Sequence, residues 1–163
     1  MKYSSITYPD INNGLGCRCS LWCSGCTHKC EGCHNKCTWD FNFGNEFTES
    51  SFNELVDILN REYIKGLTLT GGDPLDSFND VLDILIKVKS ILPKKDIWLY
   101  TGYEFNDIIK SDKKRILDYV DYLVDGQFDI SKRNISLKFR GSSNQVIWEK
   151  DNDGNWIKSE LNN

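Results

Sequence analysis

The chain has 163 residues and a net charge of −4, with 39% hydrophobic and 27% charged residues, the balance of an ordinary globular protein. No apolar run approaches the roughly 18 residues that span a membrane, residues 1–10 lack a secretory signal pattern, and the acidic balance argues against nucleic acid as a partner. We therefore expect one cytoplasmic domain over residues 1–163, with no membrane or nucleic-acid partner.

The first unusual feature along the chain is its set of cysteines. All seven lie near the amino terminus, at positions 17, 19, 23, 26, 30, 33 and 37. An odd number confined to one short segment is not typical of a disulfide framework, whose bridges close long loops. The pattern instead favours a reducing compartment in which thiols bind a metal or an iron–sulfur cluster.

The spacing of these cysteines favours a cluster over zinc. Cys23-x2-Cys26 and Cys30-x2-Cys33 are only three residues apart, whereas structural zinc sites use pairs separated by roughly a dozen residues. The C-x3-C-x2-C spacing of Cys26, Cys30 and Cys33 suits one [4Fe-4S] cluster with three thiolate ligands. Three ligands leave one iron open, and metal chemistry on a bound substrate requires such an open position.

Cys19, Cys23 and Cys26 have the same spacing, so the motif alone allows two registers. Residues 18–23 are predicted to form a strand, in which residues four apart lie roughly 13 Å from one another. That separation is too large for one small cluster, whereas residues 26–33 form a glycine-containing loop, and we choose the later register. The remaining thiols are predicted to be buried or near the cluster: Cys17, Cys19, Cys23 and Cys37.

After the cysteines, strand and helix patterns alternate, which predicts an α/β fold with a mainly parallel sheet. One helix is predicted to begin at a capping box over residues 51–54, and a second contains Val81 and Leu85. The turn at Asp153-Gly154 predicts a C-terminal β-hairpin over residues 146–160. The chain is too short for a complete eight-fold barrel of about 250 residues, so an incomplete, open barrel is expected. The other predicted strands cover residues 66–70, 96–100, 119–124 and 137–140.

Glycine-containing turns follow several predicted strands. Gly71-Gly72-Asp73, Thr101-Gly102 and Asp125-Gly126 each come directly after one. Each is typical of a plain turn when taken alone, but ligands of parallel α/β sheets bind at the carboxyl ends of strands. We therefore expect these turns and the cysteine loop at one edge, where glycine lets the backbone approach a ligand closely.

Together these segments resemble the radical S-adenosylmethionine superfamily, and within it the activases of glycyl-radical enzymes. The resemblance covers most of the chain, and the set of motifs in this order is highly specific. The motifs that carry it are Tyr8–Asp10, Asn13-Gly14, Ser24–Cys33, Asn35–Trp39, Leu69–Leu75, Lys95–Trp98, Thr101–Tyr103, Val124–Gly126 and Arg140–Gln145.

The resemblance implies an open radical-SAM-type β/α barrel and one [4Fe-4S] cluster held by Cys26, Cys30 and Cys33. The methionine end of S-adenosylmethionine would lie near Gly72. Residues 140–145 could contact its ribose or dock the partner, and both roles stay open. The family commonly has tyrosine where His34 stands, so this position departs from the pattern. The implied S-adenosylmethionine contacts are Gly32, Cys33, His34, Gly71, Gly72 and Asp73.

The resemblance also implies the reaction. Reductive cleavage of S-adenosylmethionine would give methionine and a 5′-deoxyadenosyl radical, which would generate a glycyl radical on an anaerobic ribonucleoside-triphosphate reductase. A reduced flavodoxin- or ferredoxin-type protein would donate the electron. No side chain is assigned an acid–base role, so Asp73, Asp121 and Asp125 are expected to cap turns. Two alternatives remain: another small radical enzyme acting on a small molecule, and a non-enzymatic iron–sulfur or zinc module.

Overall fold

The computed structural model describes residues 1–163, and its strands form one eight-stranded sheet. The strands are β1 (Lys2–Asp10), β2 (Arg18–Cys23), β3 (Asn45–Glu46), β4 (Gly66–Gly71), β5 (Asp96–Tyr100), β6 (Tyr122–Asp125), β7 (Val146–Lys150) and β8 (Trp156–Lys158). The helices are α1 (Glu49–Leu59), α2 (Phe78–Ile91) and α3 (Phe105–Ile109). The strand order is β3-β1-β2-β4-β5-β6-β7-β8. No helix is both long and apolar enough to cross a membrane.

The sheet is mixed, which corrects the prediction of a mainly parallel one. Strands β2, β4, β5 and β6 run parallel in the centre, whereas the pairings of β1, β3, β7 and β8 are antiparallel. Short connections join β1 to β2 and β7 to β8, and a tight turn can join only antiparallel neighbours, whereas the longer segment of residues 126–145 connects β6 to β7. The sheet does not close on itself, so the α/β class is confirmed and a barrel is not.

Three local predictions need correction. The capping box of α1 is formed by Thr48 and Ser51, which bond each other's backbone N–H groups, so the helix begins earlier than the pattern at residues 51–54 indicates. The strand expected at 119–124 begins only at Tyr122, because a 3-10 turn precedes it. Residues 137–140 form no strand; there the Arg140 guanidinium donates to the carbonyls of Gln145 and Asn162, which holds the segment as a loop.

Both faces of the central strands are buried. Helices α1 and α2 cover one face through a large apolar core that includes Leu21, Leu69 and Leu99. On the other face Trp98 stacks on Tyr122 with ring centroids 4.5 Å apart, and loops rather than helices cover this side. The loop-covered face is therefore the side on which a ligand can lie between sheet and loops.

Arg18 fixes the amino ends of the central strands. Its side chain is 0% exposed, with a guanidinium nitrogen 2.6 Å from Asp96 Oδ1, and it also donates to Thr68 Oγ1 and the Leu67 carbonyl. Burial lowers the pKa of Arg18, and the Asp96 carboxylate opposes that shift. A buried charge is tolerated only when paired and hydrogen-bonded in this way, which indicates a structural role at this edge.

Candidate functional site

The carboxyl ends of the parallel strands meet at one edge, as the glycine turns predict. A cavity of about 160 Å³ opens there. It is lined by residues from the cysteine loop and from the turns after β4, β5 and β6, including Cys26, His28, Cys30, Cys33, Gly71, Gly72, Asp73, Thr101, Gly102, Gly126 and Gln127. The expected convergence of these segments is therefore confirmed.

A larger cavity of about 370 Å³ adjoins the first on the loop-covered face of the sheet. The two cavities share Cys33, Gly71, Tyr100, Phe128 and Gln145. The larger one is also lined by Asn12, Asn13, Trp22, His34, Thr70 and Arg140. A ligand that spans both cavities would therefore extend from the cysteine loop along the sheet.

Two buried polar atoms on the larger cavity have no partner within the protein. These are the Tyr100 hydroxyl and the Nε atom of Arg140. Burial raises the pKa of Tyr100, so this phenol stays neutral and can donate a hydrogen bond. Buried polar groups in folded proteins are nearly always hydrogen-bonded. The lining of the larger cavity therefore fits a polar ligand.

The structure brings together most of the predicted site residues. The three predicted ligand cysteines all line the small cavity as free, half-buried thiols, and Cys33 reaches both cavities. His34 is exposed and lines the larger cavity only. Gly32 lines neither cavity; its φ of +76° turns the loop so that it packs on Ile130. Its contact with S-adenosylmethionine stays a prediction.

The three thiols must be thiolates to hold a cluster or a metal ion. Burial raises the pKa of Cys26 and of Cys30, so both thiols must lose their protons when they bind iron.

The other register is disfavoured by burial. Cys19 and Cys23 lie in β2 with 0% exposure, and Cys23 sits within the apolar core under the helices. Burial raises the pKa of each thiol to about 12. Cys17 is half-buried and Cys37 is exposed. Cys19 and Cys23 therefore match the prediction of inert buried thiols.

The Gly71-Gly72 turn is packed directly on the start of the cysteine loop. Gly71 has a φ of +109°, and a side chain there would collide with the backbone of Cys23. A side chain on Gly72 would collide with the carbonyls of Gly25 and Thr38. The N–H groups of Gly72 and Asp73 donate to Cys23 and Gly25, each at 2.8 Å. Glycine is required here because two backbones approach each other.

The carboxylate of Asp73 is 1% exposed and fully engaged within the protein. It caps a 3-10 turn by accepting from the Leu75 N–H, as the turn-capping expectation predicts. It also accepts from the Thr101 hydroxyl and the Gly102 N–H, and lies 2.7 Å from His28 Nε2. Asp73 thus connects the turns after β4 and β5 to the cysteine loop.

A second set of contacts lies beside Asp73, and no local sequence pattern predicts it. Asp76 accepts from the backbone N–H of Thr27 at 2.7 Å and from the Tyr103 hydroxyl at 2.7 Å. The His28 ring packs edge-on against Tyr103, and its bond to Asp73 raises the pKa of His28. His28, Asp73 and Asp76 converge within 4.8 Å. The carboxylates of Asp73 and Asp76 already accept hydrogen bonds, so the three side chains hold the cysteine loop in position rather than form a cation site.

Comparison with known proteins identifies the family. A family model described as a 4Fe-4S single cluster domain matches residues 12–148. The anaerobic ribonucleoside-triphosphate reductase-activating protein of Enterobacteria phage T4 is 44% identical over 160 residues, which is 96% of this chain and 98% of that protein. The chain belongs to this family of activating proteins. The proteins of the same name from Escherichia coli K12 and Pasteurella multocida are 41% and 44% identical, over 90% and 91% of this chain and 97% of each relative.

Membership of this family of activating proteins supports a [4Fe-4S] cluster in the chain. The matched region contains every cysteine, the Gly71-Gly72 turn and both cavities. The family match therefore favours an iron–sulfur cluster over the zinc-module alternative.

Selective alkylation would separate the cysteine classes of this family member. At pH 8 in native apo protein, we expect iodoacetamide to modify Cys37, while Cys19 and Cys23 stay unmodified. Their pKa of about 12 lowers the thiolate fraction by roughly 1,000-fold relative to an ordinary thiol, and burial blocks access. Loading the cluster should protect Cys26, Cys30 and Cys33 but leave Cys37 reactive.

Peptide mapping by mass spectrometry, with the denatured chain as control for full labelling, reads each thiol separately. If loading the cluster protected Cys37 and left Cys26, Cys30 or Cys33 reactive, the proposed ligand set would be wrong.

Proposed function

We propose that the chain activates an anaerobic ribonucleoside-triphosphate reductase by generating a glycyl radical on it. The observation that carries the proposal is the pair of adjoining cavities that share Cys33 and Gly71. Under this proposal the small cavity would hold a [4Fe-4S] cluster, and the larger cavity beside it would hold S-adenosylmethionine. When bound together, these cofactors supply one-electron cleavage of the S–C5′ bond to methionine and a 5′-deoxyadenosyl radical, which takes a hydrogen atom from a backbone glycine.

Cys26, Cys30 and Cys33 would hold the cluster in the small cavity. Three thiolates leave one iron without a protein ligand, and that position is available to the amino and carboxylate groups of S-adenosylmethionine. The hydrogen bonds from Thr27 to Asp76 and from His28 to Asp73 fix the segment between the first two ligands. The ligand loop is thereby held at a set position relative to the turn after β4.

S-adenosylmethionine fits the larger cavity in size and chemistry. The cavity has a volume of about 370 Å³, which lies within the range of small-molecule sites, roughly 300–1,000 Å³. The unpaired Tyr100 hydroxyl and Arg140 Nε supply hydrogen-bond donors for a polar ligand. Gly71 lines both cavities and Gly72 lines the smaller one. This turn would let the backbone approach the methionine end of S-adenosylmethionine. His34 lies at the exposed rim.

The aspartates that are expected to cap turns all accept hydrogen bonds within the protein. Asp125 accepts from the Phe105 N–H at 2.7 Å, and burial raises the pKa of Asp125. Asp121 accepts from Lys89 and from the Ile97 N–H. Since Asp73 is also engaged, none of these three carboxylates is free for proton transfer. This agrees with a reaction whose chemistry belongs to the cofactors, while the protein supplies orientation and exclusion of water.

The decisive experiment is anaerobic radical transfer. The cluster-loaded protein is mixed with S-adenosylmethionine, a chemical reductant and the reductase. We expect a glycyl radical signal on the reductase by electron paramagnetic resonance and a matching yield of 5′-deoxyadenosine by chromatography. A reductase whose radical glycine is replaced by alanine is the control.

5′-Deoxyadenosine without a glycyl radical would favour the alternative of a radical enzyme acting on a small molecule. No 5′-deoxyadenosine from a fully loaded protein with the reductase present would count against the radical mechanism itself. Replacing the chemical reductant by reduced flavodoxin or ferredoxin then tests the proposed electron donor.

A further inference from the structure

The segment Ile130–Lys138, which we call the basic loop, differs in charge from the rest of the molecule. It contains Lys132, Arg133 and Lys138 and no acidic residue, although the whole chain carries a net charge of −4. All three cationic side chains are exposed. The one neighbouring acid, Asp129, lies 3.6 Å from Lys132 in an exposed pair, which contributes little and leaves the loop positive.

The basic loop also exposes large apolar side chains. Ile135 at its tip is 88% exposed and Ile130 is 48% exposed. Scattered exposed apolar residues are ordinary, but here two isoleucines flank the adjacent cations Lys132 and Arg133 on one nine-residue segment. A mixed apolar and single-sign surface of this kind is typical of a contact with a protein of opposite charge.

The basic loop is continuous with the proposed reaction site. Its Leu137 lines the larger cavity, as do Phe139 and Arg140 directly after it. At its other end Ile130 packs on Gly32 of the cysteine loop. The base is fixed, since the Ser143 N–H donates to the Lys132 carbonyl at 3.0 Å. The loop therefore borders the larger cavity, where a protein substrate that brings a backbone glycine to the site could contact it.

We propose that the basic loop docks an acidic surface of the reductase next to its radical glycine, an inference that rests on the proposed function. Lys132, Arg133 and Lys138 attract that surface, and Ile135 inserts into an apolar recess on it. Complementary charge at the rim of an interface chiefly raises the rate of association and makes it sensitive to salt. The position at the cavity rim favours the reductase over an electron carrier as the occupant.

The test is charge reversal, with Lys132→Glu/Arg133→Glu as the variant. Its control is Lys65→Glu/Lys94→Glu, which makes the same charge change at exposed residues before β4 and β5, at the opposite edge. A chemical reductant is used, so that no electron carrier takes part. We expect the reductase concentration for half-maximal glycyl radical formation to rise roughly tenfold in the variant, with a weaker salt dependence, and to stay unchanged in the control.

Formation of 5′-deoxyadenosine without the reductase separates docking from chemistry. The charge reversal should leave this reaction as it is in the parent protein. Ile135→Ser should also raise the half-maximal reductase concentration, but with the salt dependence of the parent protein, because it removes an apolar contact only.

Equal half-maximal concentrations in variant and control would overturn the assignment. So would a defect that appears only when reduced flavodoxin replaces the chemical reductant, since the loop would then serve an electron carrier. Loss of 5′-deoxyadenosine formation without the reductase would show that the loop maintains the site instead. Failure of the parent protein to form 5′-deoxyadenosine even with the reductase present would overturn the proposed function itself.

Discussion

Replacing Cys30 by alanine should remove the cluster and lower 5′-deoxyadenosine formation by roughly 100-fold or more. Cys30 is the middle thiol of the three on the small cavity, and the two that remain leave two irons without protein ligands. The preparation should therefore retain little iron after reconstitution and desalting. Iron and sulfide per chain, the absorbance near 400 nm and the yield of 5′-deoxyadenosine are the measurements.

Cys37→Ala is the matched control. It deletes a thiol in the same segment, but Cys37 is exposed and lines neither cavity. This variant should keep its iron and its activity. Iron loss in Cys37→Ala would mean that a fourth cysteine ligates the cluster, as in an electron carrier. A Cys30→Ala protein that retains a full cluster would show that the ligand set is wrong.

Asp73→Asn is expected to lower the free energy of unfolding by about 3–5 kcal/mol, the cost of breaking a buried charged network. The carboxylate accepts bonds from Leu75, Thr101 and Gly102 and lies against His28. The amide offers a single acceptor oxygen, and its NH2 group would face a backbone N–H. Urea unfolding of the apo protein under anaerobic conditions measures the loss.

Activity should fall in Asp73→Asn even under conditions where the protein stays folded, because the turn after β4 and the cysteine loop lose their shared anchor. Asp83→Asn makes the same chemical change on the exposed face of α2, where substitutions usually cost less than about 0.5 kcal/mol. Equal unfolding free energies for the two variants would show that the Asp73 network contributes no stability.

Several features of the site follow from local sequence. The strand predicted at residues 18–23 argues against Cys19 and Cys23 as joint ligands, because a strand separates residues that lie four apart, and both thiols are buried in β2. The turns after the parallel strands were expected at one edge, and they line one cavity. The predicted hairpin around Asp153-Gly154 is present, and it pairs Lys150 with Trp156.

Other features depend on contacts between distant parts of the chain. The bonds from Thr27 to Asp76 and from His28 to Asp73 join residues more than 40 positions apart, so no local pattern reports them. The sequence gives only a weak indication of this network, which is His28 between Cys26 and Cys30 and the two aspartates Asp73 and Asp76 three residues apart. Likewise, Gly32 packs on Ile130 rather than into a cavity, because the chain far downstream covers that side of the cysteine loop.

By itself, the sequence determined the family and the α/β class and predicts the thiols that would hold a cluster, because spacing and alternation are properties of neighbouring residues. Only the tertiary structure decided that the sheet is antiparallel at both ends, since strand direction depends on which strands pair across the fold. It also decided that Asp73 is an anchor rather than a free carboxylate, and that Tyr100 and Arg140 each keep a buried polar atom unpaired. Burial and hydrogen bonding depend on what the folded chain places beside a side chain, and sequence spacing does not specify those neighbours.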